Sequence, residues 1–404
     1  MSLEQSMKFI LGVETDQWRI TGIQGGIEDT VKVTHIDMDF IGDPGRCPDC
    51  GCDRKIHDKK VRVWRHANLD DTVCYIHAAI PRCQCPNCGK ISQVDIPWAD
   101  PRVSYTKRFM EVAIEHMAQM SLSATSRLLK VSWKILDDIV GMVVEHHLDS
   151  MDLSSLTRIR VDETSAKKHH RYITIVTDVD TGNIVFITKG KDMDTIREFS
   201  VWLRDHNGDP GSIQLIATDF GDAFIAGARE HLPNAEPVYD PFHLIQIANR
   251  HLDHDRASTQ INGQRKKAIR YSLLKNPENL RPEEAEVLMD ITRDNELIGT
   301  SYQMKESLRQ VFEYTAEEIE LARAHLTKWA QWAYEKGSSG FRALARTVRS
   351  HMEGILRAIQ TGVNNGYQES LNGRVQLSKR LARGYSKEMR LGRIVFFRDS
   401  CRSL

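Results

Sequence analysis

The chain has 404 residues, 41% hydrophobic and 27% charged, with 55 basic and 55 acidic side chains that cancel to a formal net charge of zero. This composition excludes an intrinsically disordered chain, and the length predicts two to four domains. No apolar run approaches a bilayer span and the N-terminus lacks a signal-peptide layout, so a cytoplasmic protein with no membrane partner is expected.

Residues 1–45 mix short strand-like runs with breaks at Gly25-Gly26 and Asp43-Pro44-Gly45, and Val31 and Val33 alternate with polar residues. Seven of the eight cysteines then fall between Cys47 and Cys88. In a cytosolic chain such crowding argues for metal before disulfides. Cys47-Pro-Asp-Cys50 and Cys85-Pro-Asn-Cys88 are two Cys-x-x-Cys knuckles, and two such pairs complete a tetrahedral site for one structural Zn2+. Gly51 and Gly89 follow the knuckles and suit tight turns that aim backbone N–H groups at sulfur. Cys52 and Cys83 are rival ligands, whereas Cys74 reads as an apolar strand residue. A β-like stretch at residues 61–65 lets a hairpin fit between the knuckles, and Pro97 and Pro101 mark a boundary.

From residue 104 the period changes. Phe109, Val112, Ala113, His116, Met117 and Met120 recur at helical steps. A short helix over 123–129, a tight turn at Lys130-Val131 and a further helix over 132–147, N-capped by Ser132, form a helix-turn-helix pattern. In such a unit the second helix enters the major groove, which makes Ser132, Trp133, Lys134 and Asp137 the probing residues. A plain helical hairpin packed on a core is the alternative.

Residues 156–239 read as β-β-β-α-β-α-β, with strands at 158–162, 172–178, 183–189, 213–218 and 236–239 and helices at 194–205 and 223–231. Asp162 ends the first strand and Asp219 follows the fourth. In a ribonuclease-H-like sheet those strands are neighbours. Two carboxylates ~4 Å apart repel by roughly 4 kcal/mol at an effective dielectric of about 20, so the pair needs cations. Mg2+ (or Mn2+) fits, and two ions held by carboxylates can activate an attacking hydroxyl and stabilise the leaving oxygen of a phosphodiester. Glu163 neighbours Asp162 but points to the opposite face of a strand, and the apolar alternation does not decide which faces the metals. Asp222 is either a ligand or a helix cap. Asp240 and His243, at Asp-x-x-His, either approach the same cleft or form a capped helix start with a structural histidine.

Residues 242–360 look almost wholly helical, with loop signals at Asn276-Pro277 and Gly337-Ser-Ser-Gly, and read as an insertion into the strand-rich domain. Glu369 follows, sharing a helix face with Asn365 and Asn372. It opens a basic segment that includes Arg374, Lys379, Arg380 and Arg383, which suits DNA contact.

These residues closely resemble the ISL-three family of bacterial insertion-sequence transposases. The match runs from the two cysteine knuckles through Val161-Asp-Glu with Arg171-Tyr-Ile-Thr, Thr218-Asp-Phe and His231-Leu-Pro-Asn-Ala with Tyr239-Asp-Pro-Phe-His. It continues through Leu273-Leu-Lys-Asn-Pro-Glu-Asn-Leu to Asn365-Gly-Tyr-Gln-Glu-Ser-Leu-Asn and Lys379-Arg-Leu-Ala-Arg-Gly-Tyr. The resemblance implies a DDE enzyme with Asp162, Asp219 and Glu369 as its acidic triad, two Mg2+ per active site, and an all-helical insertion between the second Asp and the Glu. Asp240 and His243 resemble a motif shared with Mutator-type transposases. The expected fold class is α+β multidomain. Residues 1–100 would hold a β-rich region with a four-cysteine zinc ribbon, 101–152 a helix-turn-helix domain, 153–241 the first part of a ribonuclease-H-like core, 242–360 the insertion and 361–404 the closing helical part. Expected partners are double-stranded DNA, as terminal inverted repeats and target, and a second copy of the chain in a homodimer or higher oligomer at the nucleoid. A non-cutting DNA-binding regulator and a nuclease that cuts without joining are the rival readings.

Overall fold

The computed structural model describes residues 2–13, 15–167, 171–220, 222–259, 266–363, 366–382 and 388–400. They form two compact units, one built mainly on Met1–Asp149 and the other on Ser150–Arg380 with Gly384–Asp399.

The first unit opens with α1 (Leu3–Ile10), a two-turn helix started by a Ser2/Gln5 capping box. Strands β1 (Trp18–Glu28), β2 (Val31–Phe40), β3 (Lys55–Leu69), β4 (Thr72–Gln84) and β5 (Ile91–Gln93) follow. They form one sheet in the order β1-β2-β4-β3, with β5 on β4. Strand β2 runs parallel to β4, and the other pairings are antiparallel. The β3–β4 hairpin is the segment between the cysteine knuckles and accounts for their separation. Strand β3 far exceeds the 61–65 stretch visible in sequence, because its outer half is exposed and lysine-rich and so lacks apolar alternation. The core centres on three buried tryptophans, with Trp98 edge-on to Trp18 at 4.8 Å and to Trp64 at 5.8 Å between ring centroids. Edge-to-face pairs of this kind add ~0.5–1.5 kcal/mol each beyond the area they bury.

Three helices complete this unit: α2 (Lys107–Gln119), α3 (Leu122–Leu129) and α4 (Trp133–Asp149). Thr106 caps α2 by accepting from the Phe109 N–H at 3.1 Å, and Ser121 caps α3 by accepting from the Ala124 N–H at 3.2 Å. Lys130 ends α3 in the left-handed region, φ 52°, which makes the sharp turn into α4.

In the second unit β6 (Arg158–Lys167), β7 (Arg171–Asp178) and β8 (Ile184–Lys189) form an antiparallel meander. After it come α5 (Met193–Asp205), β9 (Leu215–Thr218), α6 (Asp222–His231) and β10 (Glu236–Tyr239). The sheet order is β10-β9-β6-β7-β8, with β9 parallel to both β6 and β10. This is the ribonuclease-H-like arrangement. Ile159, Val161 and Ile216 pack with Ile196, Phe199 and Phe224 of α5 and α6 on one face. Leu215, Ala217 and Val238 pack with Ala358 and Val363 on the other. Strand β6 does not stop at Asp162 but runs on to Lys167, because β7 continues to pair with it beyond the end of β9. Strand β9 starts at Leu215 rather than at residue 213, after a 3-10 turn at Pro210–Ser212.

Chain then leaves the sheet through α7 (Pro241–Ser258), α8 (Lys266–Leu274), α9 (Pro282–Asp294), α10 (Glu296–Val311), α11 (Ile319–Lys336), α12 (Ser339–Ser350) and α13 (Met352–Thr361). These helices share a core that includes Leu252, Met304, Leu308, Trp329 and Phe341. Both loop signals fall between helices, at α8–α9 and α11–α12. Helix α13 returns to the sheet so closely at Gly354 that a Cβ there would lie 2.5 Å from the Tyr239 ring. Helices α14 (Gly366–Ala382) and α15 (Glu388–Ser400) close the described chain. No helix among the described residues is long and apolar enough to cross a membrane.

Candidate functional site

In the first unit the two knuckles have the same local build. The Gly51 N–H donates to Cys47 O and the Gly89 N–H to Cys85 O, each at 2.9 Å, with both glycines at φ near +70° (72° and 71°). A side chain is strained in that region, and glycine is not. The turns bring one sulfur from each of Cys47, Cys50, Cys85 and Cys88 within 4.8 Å of one another. The Cys47–Cys88 and Cys50–Cys85 sulfur separations are 3.6 and 3.4 Å. Ligands ≈ 2.3 Å from a tetrahedral zinc lie about 3.8 Å apart, so the cluster fits the ion. Backbone N–H groups aimed at sulfur favour the thiolate. The Cys52 N–H, then the Cys85 thiol, pulls Cys50 down to about 6. Although the Lys90 N–H favours its thiolate, Cys88 is pushed up to about 12, first by Cys47, so protonation is shared unevenly around the cluster. Of the rival ligands, Cys52 hydrogen-bonds to Cys50 O at 3.8 Å outside the cluster, and Cys83 is buried in the sheet core.

The start of α4 presents Ser132, Trp133 and Lys134 to solvent, with Trp133 51% exposed, while Leu136, Ile139 and Val140 turn inward. The Ser132 hydroxyl accepts from the Lys134 N–H at 3.3 Å. Asp137 is only partly exposed. Sequence reasoning missed a second cationic feature. Lys55, Lys59 and Lys60 on edge strand β3 are exposed and form no ion pair or side-chain hydrogen bond among the described residues. The run Arg54-Lys-Ile-His-Asp-Lys-Lys-Val-Arg62 was the signal that could have found it.

In the second unit the sheet register sets the acidic site. Arg158, Ile159 and Arg160 of β6 pair in parallel with Leu215, Ile216 and Ala217 of β9. The pairing ends there, and the same register continued by two residues would bring Asp162 level with Asp219. Neighbouring strands lie ≈ 4.8 Å apart, and level residues of parallel strands point to the same face. Ile159 and Val161 face α5 and α6, so Glu163 belongs to that side and Asp162 to the opposite one. Asp162 and Asp219 line a cavity of about 410 Å3 together with Glu163, Lys191, Phe220, His243, Ile247 and Arg250, among others. Two carboxylates on one open cavity form the hard oxygen set that Mg2+ or Mn2+ takes.

Helix α7 supplies the base of this site. Asp240 is its N-cap, accepting from the Phe242 N–H at 3.0 Å, and Pro241 follows at the first helical position. One turn on, His243 Nε2 lies 2.8 Å from Asp219 Oδ1 and 3.8 Å from Asp240 Oδ2. The Asp219 carboxylate raises the His243 pKa above its ordinary value, against burial. Burial raises Asp240, and its Oδ2 has no hydrogen-bond partner among the described residues. Asp240 and His243 thus combine both sequence readings: a capped helix start that also reaches the acidic cleft. Asp162 Oδ1 accepts from the Glu163 N–H at 2.9 Å, and Glu163 Oε1 faces Lys191 Nζ at 3.5 Å.

Glu369 sits in the first turns of α14, but its side chain lies outside the described residues, as do the Asn372 side chain, Asn365 and Arg383. Asp222 is the first residue of α6. Of the basic residues expected on DNA, Arg380 is exposed. Lys379 donates to Ser165 O at 2.5 Å, and Arg374 is drawn inward to Asp399 at 3.1 Å, so its charge is engaged within the fold.

A family model for ISL3-type DDE enzymes, described as "Transposase", matches residues 159–392. "Helix-turn-helix domain of transposase family ISL3" matches residues 94–141. "Zinc-finger of transposase IS204/IS1001/IS1096/IS1165" matches residues 43–88. The chain is 29% identical over 373 residues to the transposase for insertion sequence element IS1557 of Mycobacterium tuberculosis, a match covering 84% of this chain and 82% of that protein. It is 24% identical over 348 residues to the transposase for insertion sequence element IS1001 of Bordetella parapertussis, covering 84% and 85%.

Proposed function

We propose a metal-dependent cut-and-join reaction on DNA for this chain, which belongs to the ISL3 family of insertion-sequence transposases. The substrate would be the element's terminal inverted repeats. A phosphodiester bond at each end is hydrolysed to free a 3′-hydroxyl, which then displaces a 3′-oxygen in target DNA. The β6–β9 register carries this reading, because it supports a site in which Asp162 and Asp219 face one cavity from level positions. Glu369 is the third acid we assign, on the helix that follows the insertion.

Asp162 and Asp219 would hold Mg2+ or Mn2+ with Glu369, and ions bound there supply Lewis-acid activation of the attacking oxygen and stabilisation of the leaving one. The protein's own part is positional. His243 holds one oxygen of Asp219 and so fixes the rotamer of that carboxylate. Asp240 starts α7 where His243 can reach, and its buried carboxyl favours a cationic imidazole. Glu163 and Lys191 neutralise each other beside the acids.

We assign one structural zinc to the cysteine cluster and DNA reading to the ribbon and helix-turn-helix unit, with Ser132, Trp133 and Lys134 at the base edges and the exposed Arg380 on phosphate. Full-length protein with a labelled duplex carrying the element end should nick it with Mg2+ and not with EDTA. Binding without nicking would reject the enzymatic reading in favour of a regulator, and nicking without joining would mark a nuclease.

Lys55, Lys59 and Lys60 extend the DNA footprint along β3. Each phosphate neutralised contributes about −0.9 to the slope of log K against log salt. Replacing all three by Gln should make the slope of end binding shallower by about 2–3 and weaken specific and non-specific duplexes alike. An unchanged slope would remove β3 from the interface.

A further inference from the structure

We infer that Arg250 is the phosphate-gripping cation of the acidic cavity, contacting two oxygens of the substrate phosphodiester that reacts there. The inference rests on the metal-dependent reading above and adds a residue to it.

Among the described residues three cationic side chains line the cavity with Asp162 and Asp219: Lys191, His243 and Arg250. Two are already engaged. His243 is held by Asp219 at 2.8 Å. Lys191 faces Glu163 at 3.5 Å and lies over the Tyr172 ring at 4.3 Å. Arg250 is exposed and has no hydrogen bond or ion pair among the described residues, although acids line the same cavity. Its direction is set by the helix that also carries the histidine. His243, Ile247 and Arg250 stand at i, i+4 and i+7 on α7 and form one stripe facing the cavity. The second and third turns of α7 therefore project an apolar side chain and then a guanidinium from the wall whose first turn holds Asp219.

A metal-bound phosphodiester needs such a group. The carboxylates repel the substrate's negative charge, and bound cations neutralise only the oxygens they touch. A guanidinium is planar, always charged and forked, so it can donate to two phosphate oxygens at once, which an ammonium cannot. Its contacts strengthen as charge accumulates on those oxygens during the displacement, so it contributes more in the transition state than in substrate binding. Phe220 and Ile247 line the cavity beside it and offer apolar surface to the adjoining sugar.

The test uses full-length protein, Mg2+ and an end duplex under single-turnover conditions. Arg250→Ala should slow nicking by about 10²-fold while end binding by gel shift stays within about threefold. Arg250→Lys should recover part of the rate. Guanidinium ion added at millimolar concentration should restore Arg250→Ala but leave Asp219→Asn inactive. Nicking by Arg250→Ala at the unmodified rate, with Asp219→Asn inactive, overturns the role of Arg250 and leaves the metal site standing. Undiminished nicking by Asp219→Asn overturns both. A loss in Arg250→Ala that neither lysine nor guanidinium relieves marks a structural effect and also overturns the assignment.

Discussion

Asp219→Asn should still bind the element end and should lose nicking and joining by about 10³-fold or more, equivalent to ~4 kcal/mol in the barrier. The substitution keeps size and one oxygen but removes the charge a hard cation requires. It also removes the anion that His243 faces at 2.8 Å. The imidazole should then titrate closer to its ordinary value, since the Asp219 carboxylate is the main influence raising it. Single-turnover nicking beside gel-shift binding measures the first effect, and the His243 ring resonances followed against pH measure the second. Asp162→Asn should show the same separation of binding from cutting. Undiminished strand transfer by either variant would reject the metal role of these acids.

Cys85→Ala should abolish zinc binding and, with it, recognition of the element end. Structural zinc sites in small domains contribute an apparent ~10–16 kcal/mol at pH 7, more than a short ribbon can supply from its own packing. Each knuckle is a turn held by only two backbone hydrogen bonds, from Cys47 and Gly51 N–H in one and from Cys85 and Gly89 N–H in the other. Two of the four cysteines, Cys50 and Cys88, are exposed, so little apolar burial would hold the cluster together with the metal removed. Freshly purified, reduced protein should carry one zinc per chain, and chelation should lower end affinity in step with zinc release. Protein that holds no zinc yet binds ends normally would refute the ribbon assignment.

How much was legible in the sequence depended on how local each determinant is. The cysteine turns are fixed by four or five adjacent residues, and both are visible in the spacing and the glycines. The strand at residues 236–239 agrees with the structure residue for residue, with Val238 and Tyr239 buried and Glu236 exposed. Helix α1 was missed since its apolar residues are mostly exposed and give no core stripe. Strand β6 was cut short at Asp162 because its last residues are polar and are held by pairing with β7, which a single sequence window cannot show. The parallel pairing of β6 with β9, which brings the strand ends carrying Asp162 and Asp219 side by side, needed the structure, and there Asp162 and Glu163 both line the cavity. The reach of His243 to Asp219 and the stripe ending at Arg250 needed the helix to be placed. The inward turn of Arg374 depends on Asp399, 25 residues away, so the basic run alone overstated its freedom.

The ladder that aligns the two aspartates is only three pairs long. A slip of one step between those strands would rotate one carboxylate to the far side of the sheet, leaving half a cage on each side. The fragile point of the candidate site is therefore not in the cleft but beneath it, in a few backbone hydrogen bonds around Ile216. A proline there deletes a rung without touching any acidic, basic or aromatic group. Such a variant would keep every functional side chain and still be unable to bring two of them together.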